Sequence, residues 1–323
     1  MDSSHQTEVS ETKLRLKEKL CRDLGAAVVD ALSDPKTIEV MLNADGILWQ
    51  ERLGEKMRQV GHISSARAEA VIRTIASALG TTVTRNNPIL EGELPLDGSR
   101  FAGQLPPVVS CPTFSIRKKA VAIFSLEQYV RDQILTETQK EIICAAVQGH
   151  RNILVVGGTG TGKTTLANAV IREMVRVNPD ERLVIIEDTG EIQCSAKNYL
   201  QYHTSLDVTM TKLLRTTLRM RPDRIIVGEV RGPEALDLLM SWNTGHEGGI
   251  ATVHANNALA GLDRLAMLIS MHRDAPRAIE PLIAQAVNIV IQIVKTPEGR
   301  RVREIIEVTG YEGGRYQTRS MGG

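Results

Sequence analysis

Residues 152–165 read Asn-Ile-Leu-Val-Val-Gly-Gly-Thr-Gly-Thr-Gly-Lys-Thr-Thr. The run up to Val156 has the look of a short buried strand, and Thr165-Leu-Ala-Asn-Ala-Val-Ile-Arg-Glu-Met174 continues as a helix pattern. Strand, glycine-rich turn and helix in that order are what a phosphate-binding loop (P-loop) requires. Glycines at 157, 158, 160 and 162 let successive backbone N–H groups turn inward as an anion nest, and the new helix aims its positive end at the same point. Lys163 is expected to reach the β- and γ-phosphates, and the Thr164 hydroxyl to take one Mg2+ position. The expected nucleotide contacts are Gly157, Gly158, Thr159, Gly160, Thr161, Gly162, Lys163, Thr164 and Thr165. The ligand they imply is a nucleoside triphosphate.

Working outward, a chain of 323 residues has room for two domains with separate cores. Hydrophobic content of 42% and charged content of 24% are ordinary for a soluble globular protein. A net charge of +1 gives no global pull towards nucleic acid or membrane. Aromatic residues make up only 3%, which weighs against bases stacking along an aromatic track. Cysteines at 21, 111, 144 and 194 have neither a C-x-x-C pair nor metal-site spacing, and suit a reducing compartment. Met1 to Lys19 is polar and charged, unlike a secretory signal. Ile283 to Val294 is apolar but carries Gln285, Asn288 and Gln292 and is too short to span a bilayer. A soluble protein that can sit on a membrane-bound partner is expected.

Before the loop the pattern is mixed. Residues 1–12 read as a disordered tail and Lys13 to Ala31 as one amphipathic helix. Ile38 to Leu42 and Ile47 to Glu51 flank Asn43-Ala-Asp-Gly46 as a hairpin. Ala66 to Leu79 reads as a helix stopped by Gly80, and short β runs at 98–102 and 113–117 follow. These make an α+β domain over 13–117, followed by a linker at 118–135. Thr136-Glu-Thr-Gln139 is a capping-box pattern opening a helix to Gln148. From there to 323, strands expected at 152–156, 182–187, 224–228 and 249–253 alternate with helices, the mark of a parallel α/β sheet.

Three segments say what the triphosphate is for. Arg182-Leu-Val-Ile-Ile186 ends in Glu187-Asp188, at the carboxyl edge where ligands of open α/β sheets gather. Arg224-Ile-Ile-Val-Gly-Glu229 is a second apolar strand ending in an acid, the Walker B position. An aspartate usually ends that strand to hold Mg2+. Here Gly228 takes its place and the acid comes one residue later, better set to polarise an attacking water than to ligate metal. The third segment, Thr244 to Asn257, carries His246 and His254. His254 follows a strand, where a γ-phosphate sensor would sit; His246 reads equally well as a structural histidine.

Leu218-Arg-Met-Arg-Pro-Asp-Arg-Ile-Ile-Val-Gly-Glu-Val-Arg231 resembles the signature of the secretion-superfamily ATPases, the motors of type II secretion, type IV pili and type IV secretion. Ile186 to Glu191 is similar to that family's Asp box and 244–257 to its His box. Leu94-Pro-Leu-Asp-Gly-Ser-Arg100 and Pro106-Pro-Val108 are similar in the N-terminal part. In pilus and type II members an aspartate usually follows the final arginine; here it is Gly232. With the missing tetracysteine, that departure points to the conjugation and type IV secretion branch.

The resemblance implies a RecA-like P-loop domain with a parallel sheet, preceded by a smaller α+β domain. It implies Mg2+-dependent ATP hydrolysis, with Glu229 as catalytic carboxylate, Glu187 assisting metal and water, and His254 sensing nucleotide state. Arg100 and Arg117 match positions that reach the phosphates when the domains close. It implies a homohexamer at the cytoplasmic face of the inner membrane, working with inner-membrane components of the secretion apparatus. Direct nucleic-acid contact stays open. Two alternatives are a nucleotide-gated scaffold with little turnover and a DNA-translocating, helicase-like motor.

Overall fold

The computed structural model describes residues 14–52, 55–119, 123–205 and 207–322. The tail expected at 1–12 lies outside them. The chain divides into two compact units on either side of residues 120–122.

Among the described residues, the first unit sets three helices against a six-stranded antiparallel sheet of order β3-β2-β1-β6-β5-β4. The helices are α1 (14–24), α2 (Ala26–Ser33) and α3 (Ser65–Ala78). The strands are β1 (Thr37–Leu42), β2 (Ile47–Arg52), β3 (Arg58–His62), β4 (Ile89–Glu93), β5 (Arg100–Gln104) and β6 (Thr113–Arg117). Period-two alternation buries Val40, Leu48, Phe101, Phe114 and Ile116 in one core with Leu20, Val28, Val71 and Ile75 of the helices.

The single helix expected over Lys13 to Ala31 is in fact two. Gly25 between them has φ +82°, and a Cβ there would lie 2.8 Å from Arg67 Nη2. Arg67, from α3, donates to the carbonyls of Arg22 and Asp23 and so satisfies the end of α1.

The second unit holds an eight-stranded sheet of order β14-β13-β12-β7-β11-β10-β8-β9. Its parallel part comprises β7 (Ile153–Gly157), β8 (Leu183–Glu187), β9 (Tyr199–His203), β10 (Arg224–Val227), β11 (Ile250–His254) and β12 (Ile289–Thr296). β13 (Gly299–Glu312) and β14 (Arg315–Met321) extend it antiparallel. Alternate residues of the central strands enter two cores. Leu154, Val156, Ile225, Val227 and Val253 pack with α7 (Met210–Thr217), α8 (Glu234–Trp242), α9 (Ala258–Ser270) and α10 (Ile279–Ala286). Ile153, Val155, Ile185, Ile226 and Ile250 pack with α4 (Leu126–Arg131), α5 (Glu137–Gln148) and α6 (Lys163–Val177). Burial on both faces explains why these strands read as continuous apolar runs.

The capping box of α5 is complete, with Thr136 and Gln139 each bonding the other's backbone N–H. Within the stretch expected as linker, α4 sends Leu126 and Tyr129 into the second unit's core. No helix among the described residues is long and apolar enough to cross a membrane.

Candidate nucleotide site

Because β7, β8, β10 and β11 run parallel, their carboxyl ends share one edge of the sheet. The P-loop leaves β7 there and enters α6 through Gly162, which has φ +98°. Gly160, at φ +70°, is the second left-handed position of the loop. Gly157 is fixed by crowding, since a Cβ on it would lie 2.4 Å from the Ile293 carbonyl oxygen. Thr161 Oγ1 donates to the Gly158 carbonyl at 3.0 Å and closes the turn. Lys163 is buried and folds back over the loop, its Nζ donating to the Gly158 oxygen at 3.0 Å. The same Nζ lies 3.3 Å from His254 Nε2.

His254 ends β11 directly beside Gly157 in the strand register. Its Nε2 is 2.8 Å from Glu229 Oε1. Glu229 Oε2 in turn pairs with Arg231 Nη2 at 2.5 Å, and Arg231 Nη1 with Asp188 Oδ2 at 3.3 Å. Thr204 Oγ1 donates to Asp188 Oδ1 at 3.0 Å. A continuous polar chain thus runs along the sheet edge from the P-loop lysine through histidine, glutamate and arginine to aspartate. The backbone explains why Glu229 can join it. Gly228 N donates to the Ile186 oxygen at 3.0 Å and Val230 N to the Thr252 oxygen at 2.9 Å, so the chain stays extended past β10. The residue between them turns its side chain towards His254.

Glu187 takes a different direction from the one expected. It is 2% exposed, and its Oε1 accepts from the backbone N–H groups of Glu191 at 3.0 Å and Ile192 at 2.8 Å. Its Oε2 accepts from Gln201 Nε2 at 2.7 Å. Burial pushes its carboxyl up to about 7 in spite of these three donors. Both oxygens are committed to holding the chain after β8, which does not match a metal-ligating side chain open to a cleft. Asp188 is the acid of the pair that joins the chain of charges.

His246 and His254 also part company, because β11 runs from Ile250 to His254 and His246 precedes its start. His246 lies before the strand, near Gly248, whose carbonyl accepts from the buried Arg224 at the amino edge of the sheet. The structure therefore brings together Lys163, His254 and Glu229, and leaves His246 at the opposite edge.

Arg100 and Arg117 belong to the first unit, where they are directly opposed across β5 and β6. Glu93 flanks Arg100 on β4 and Glu39 flanks Arg117 on β1. Sequence reading missed Arg231 as a site residue, although it ends the signature quoted above. The signal available was its spacing, two residues beyond Glu229, which on an extended chain returns a side chain to the same side.

A glycine loop between a buried strand and a helix, with acids and a histidine gathered at the same sheet edge, defines a RecA-like P-loop protein. The chain belongs to the family of Type II/IV secretion system proteins, whose pattern matches residues 23–318. It is 49% identical over 306 residues to the probable conjugal transfer protein TrbB of Sinorhizobium fredii, covering 95% of this chain and 94% of that one. It is 33% identical over 300 residues to the type IV secretion system protein PtlH of Bordetella pertussis, covering 83% and 87%. The crystal structure of the pilus retraction motor PilT shares the fold, with a TM-score of 0.62 at 18% identity over 92% of this chain and 82% of that one. The conjugation and type IV secretion branch expected from Gly232 is the one to which these two sequence relatives belong.

Proposed function

We propose that this chain is the ATP-hydrolysing motor of a conjugal-transfer type IV secretion system. The observation that carries the reading is the linked set Lys163–His254–Glu229–Arg231–Asp188 at the mouth of the phosphate loop. The loop amides and the positive end of α6 suit a triphosphate. On binding, Lys163 would exchange the Gly158 carbonyl and His254 for phosphate oxygens, since an ammonium gains most from an anionic partner. Mg2+, held by Thr164 and the triphosphate itself, would supply charge neutralisation on the phosphates.

Glu229 would then accept the proton of the attacking water, with Arg231 holding its carboxylate in place and His254 reporting whether the γ-phosphate is present. Arg100 and Arg117 would bring two further positive charges to the phosphates when the units close, stabilising the transition state. In this reading six subunits form a ring at the cytoplasmic face of the inner membrane. It engages inner-membrane components of the apparatus and drives pilus assembly or transfer of DNA or protein.

The test compares steady-state ATPase activity and ATP affinity in the wild type, Lys163→Ala and Glu229→Gln. Lys163→Ala should lose nucleotide binding. Glu229→Gln keeps size and hydrogen bonding but cannot take a proton, so it should bind ATP tightly and turn over at least about a hundredfold more slowly. Equal losses of affinity and turnover in Glu229→Gln would make Glu229 a binding or structural residue instead. A wild type that binds ATP without turnover would leave the nucleotide-gated scaffold as the better account.

A further inference from the structure

Across the P-loop from His254, the loop is covered by a side chain that the proposed chemistry does not use. β12 lies parallel to β7, and its hairpin with β13 carries Arg300 opposite Lys295, just past the tip. Arg300 lies 140 residues from Gly160 in sequence, and its Nη2 donates a long hydrogen bond of 3.4 Å to the Gly160 carbonyl. Its stem is packed on the last loop glycine: a Cβ on Gly162 would lie 3.1 Å from Arg300 Cδ and 3.3 Å from Nε. The Nε–H is buried and has no hydrogen-bond partner among the described residues. A buried donor is costly to leave unmade, so a side chain placed this way calls for a reason.

The hairpin is anchored on its other side. Val302 N donates to the Ile134 oxygen at 2.8 Å, Arg301 Nη1 to the Gln133 oxygen at 3.3 Å, and Gln139 Nε2 to the Val302 oxygen at 3.3 Å. Arg300 therefore reaches the loop from β13, which is held on one side by residues 133–139 and on the other by β12, itself paired with β7.

We propose that Arg300 is a positioning residue for the phosphate loop, bracing Gly162 and holding the Gly160 carbonyl outward so that the loop amides stay turned towards a bound phosphate. Carbonyl and amide of neighbouring peptides share one backbone conformation, so fixing the carbonyls on the outside of a nest orders the donors on its inside. The guanidinium also adds positive charge beside the anion site. This inference rests on the nucleotide reading above, and concerns how the loop is kept ready rather than which groups react.

The test titrates a fluorescent ADP analogue, mant-ADP, into the full chain and follows ATP kinetics in parallel. The variants are Arg300→Ala, Arg300→Lys, Arg301→Ala and Lys163→Ala. Arg300→Ala should bind mant-ADP about tenfold more weakly and raise KM with a smaller change in kcat, since preorganisation of the loop acts on binding. Its melting temperature without nucleotide should match the wild type. Arg300→Lys restores charge but not the two-point hold and should recover only part of the affinity. Arg301→Ala should bind like the wild type. Wild-type affinity in Arg300→Ala, with Lys163→Ala defective, overturns the role of Arg300 alone. Unchanged affinity in both overturns the nucleotide reading itself. An equal loss in Arg301→Ala also overturns the role of Arg300, because it would mark a general effect of loosening the hairpin. Should Arg300→Ala fail to fold, Arg300→Lys decides: full wild-type affinity there overturns the proposal.

Discussion

A Cβ on Gly228 would lie 2.9 Å from Cγ of Glu187 and 3.1 Å from its Oε1. The acid that usually ends a Walker B strand is therefore excluded at 228 by the acid that ends the neighbouring strand. Glu187 cannot swing aside, because three donors hold its two oxygens. The nearest carboxylate past the strand comes one residue along, at Glu229, where Arg231 and His254 pair with it. Gly228→Ala should accordingly destabilise the fold by about 1–3 kcal/mol, the usual cost of overpacking a filled interior. Urea unfolding of the variant would measure it, and a change within about 0.5 kcal/mol, typical of neutral surface sites, would show that Glu187 yields after all.

At the scale of elements, the stretch from 188 to 198 between β8 and β9 has no helix or strand of its own. It is fixed by Glu187 at its start, by Asn168 of α6, which bonds Glu191 O and Gln193 N, and by Gln201, which also bonds Ile192 O. Burial of Glu187 lifts its carboxyl from 4.5 to about 7 in the folded chain. Between those two values the folded state binds more protons than the unfolded one, so stability falls as the pH rises through this window and levels off above 7. The wild type should therefore lose about 2–3 kcal/mol relative to Glu187→Gln as the pH is raised from 4.5 to 7.5. Denaturant unfolding at a series of pH values would show it. A pH-independent difference would mean that the carboxyl titrates at its ordinary value in the fold.

For the whole molecule, the two arginines proposed to reach the phosphates lie in the first unit. Arg100 and Arg117 are directly opposed in the β5–β6 register, a placement that costs stability between like charges unless something offsets it. Glu39 on β1 and Glu93 on β4 flank the pair in the register, Glu39 held by Ser115 and Glu93 by Lys119 at 3.3 Å. Arg100→Ala should keep mant-ADP affinity within about threefold of the wild type and slow ATP turnover by about a hundredfold or more, because an arginine finger acts on transition-state charge. Unchanged turnover, read in the same ATPase assay as Glu229→Gln, would return Arg100 to the sheet surface as an ordinary solvated side chain.

How much of this was legible without coordinates follows from the range of the interactions involved. Local features could be read directly. The P-loop, the capping box at Thr136 and the four apolar strands of the nucleotide-binding unit are set by glycine spacing, side-chain caps and runs of buried residues, all written within a dozen positions. The edge strands β9 and β14 are largely polar and partly exposed, without an apolar run to mark them, and the apolar run of β12 follows α10 so closely that Ile283 to Val294 reads as one stretch. The break at Gly25 depends on Arg67, more than forty residues away. Sequence placed the acids and His254 at strand ends, and parallel pairing then set those ends side by side. Which acid faces the cleft was decided only by packing. Glu187 and Glu229 both follow apolar strand runs in the chain, yet Gln201 and the backbone at 191–192 capture one, while Arg231 and His254 hold the other. Such capture depends on neighbours brought together from separate strands, and a linear sequence does not record those distances.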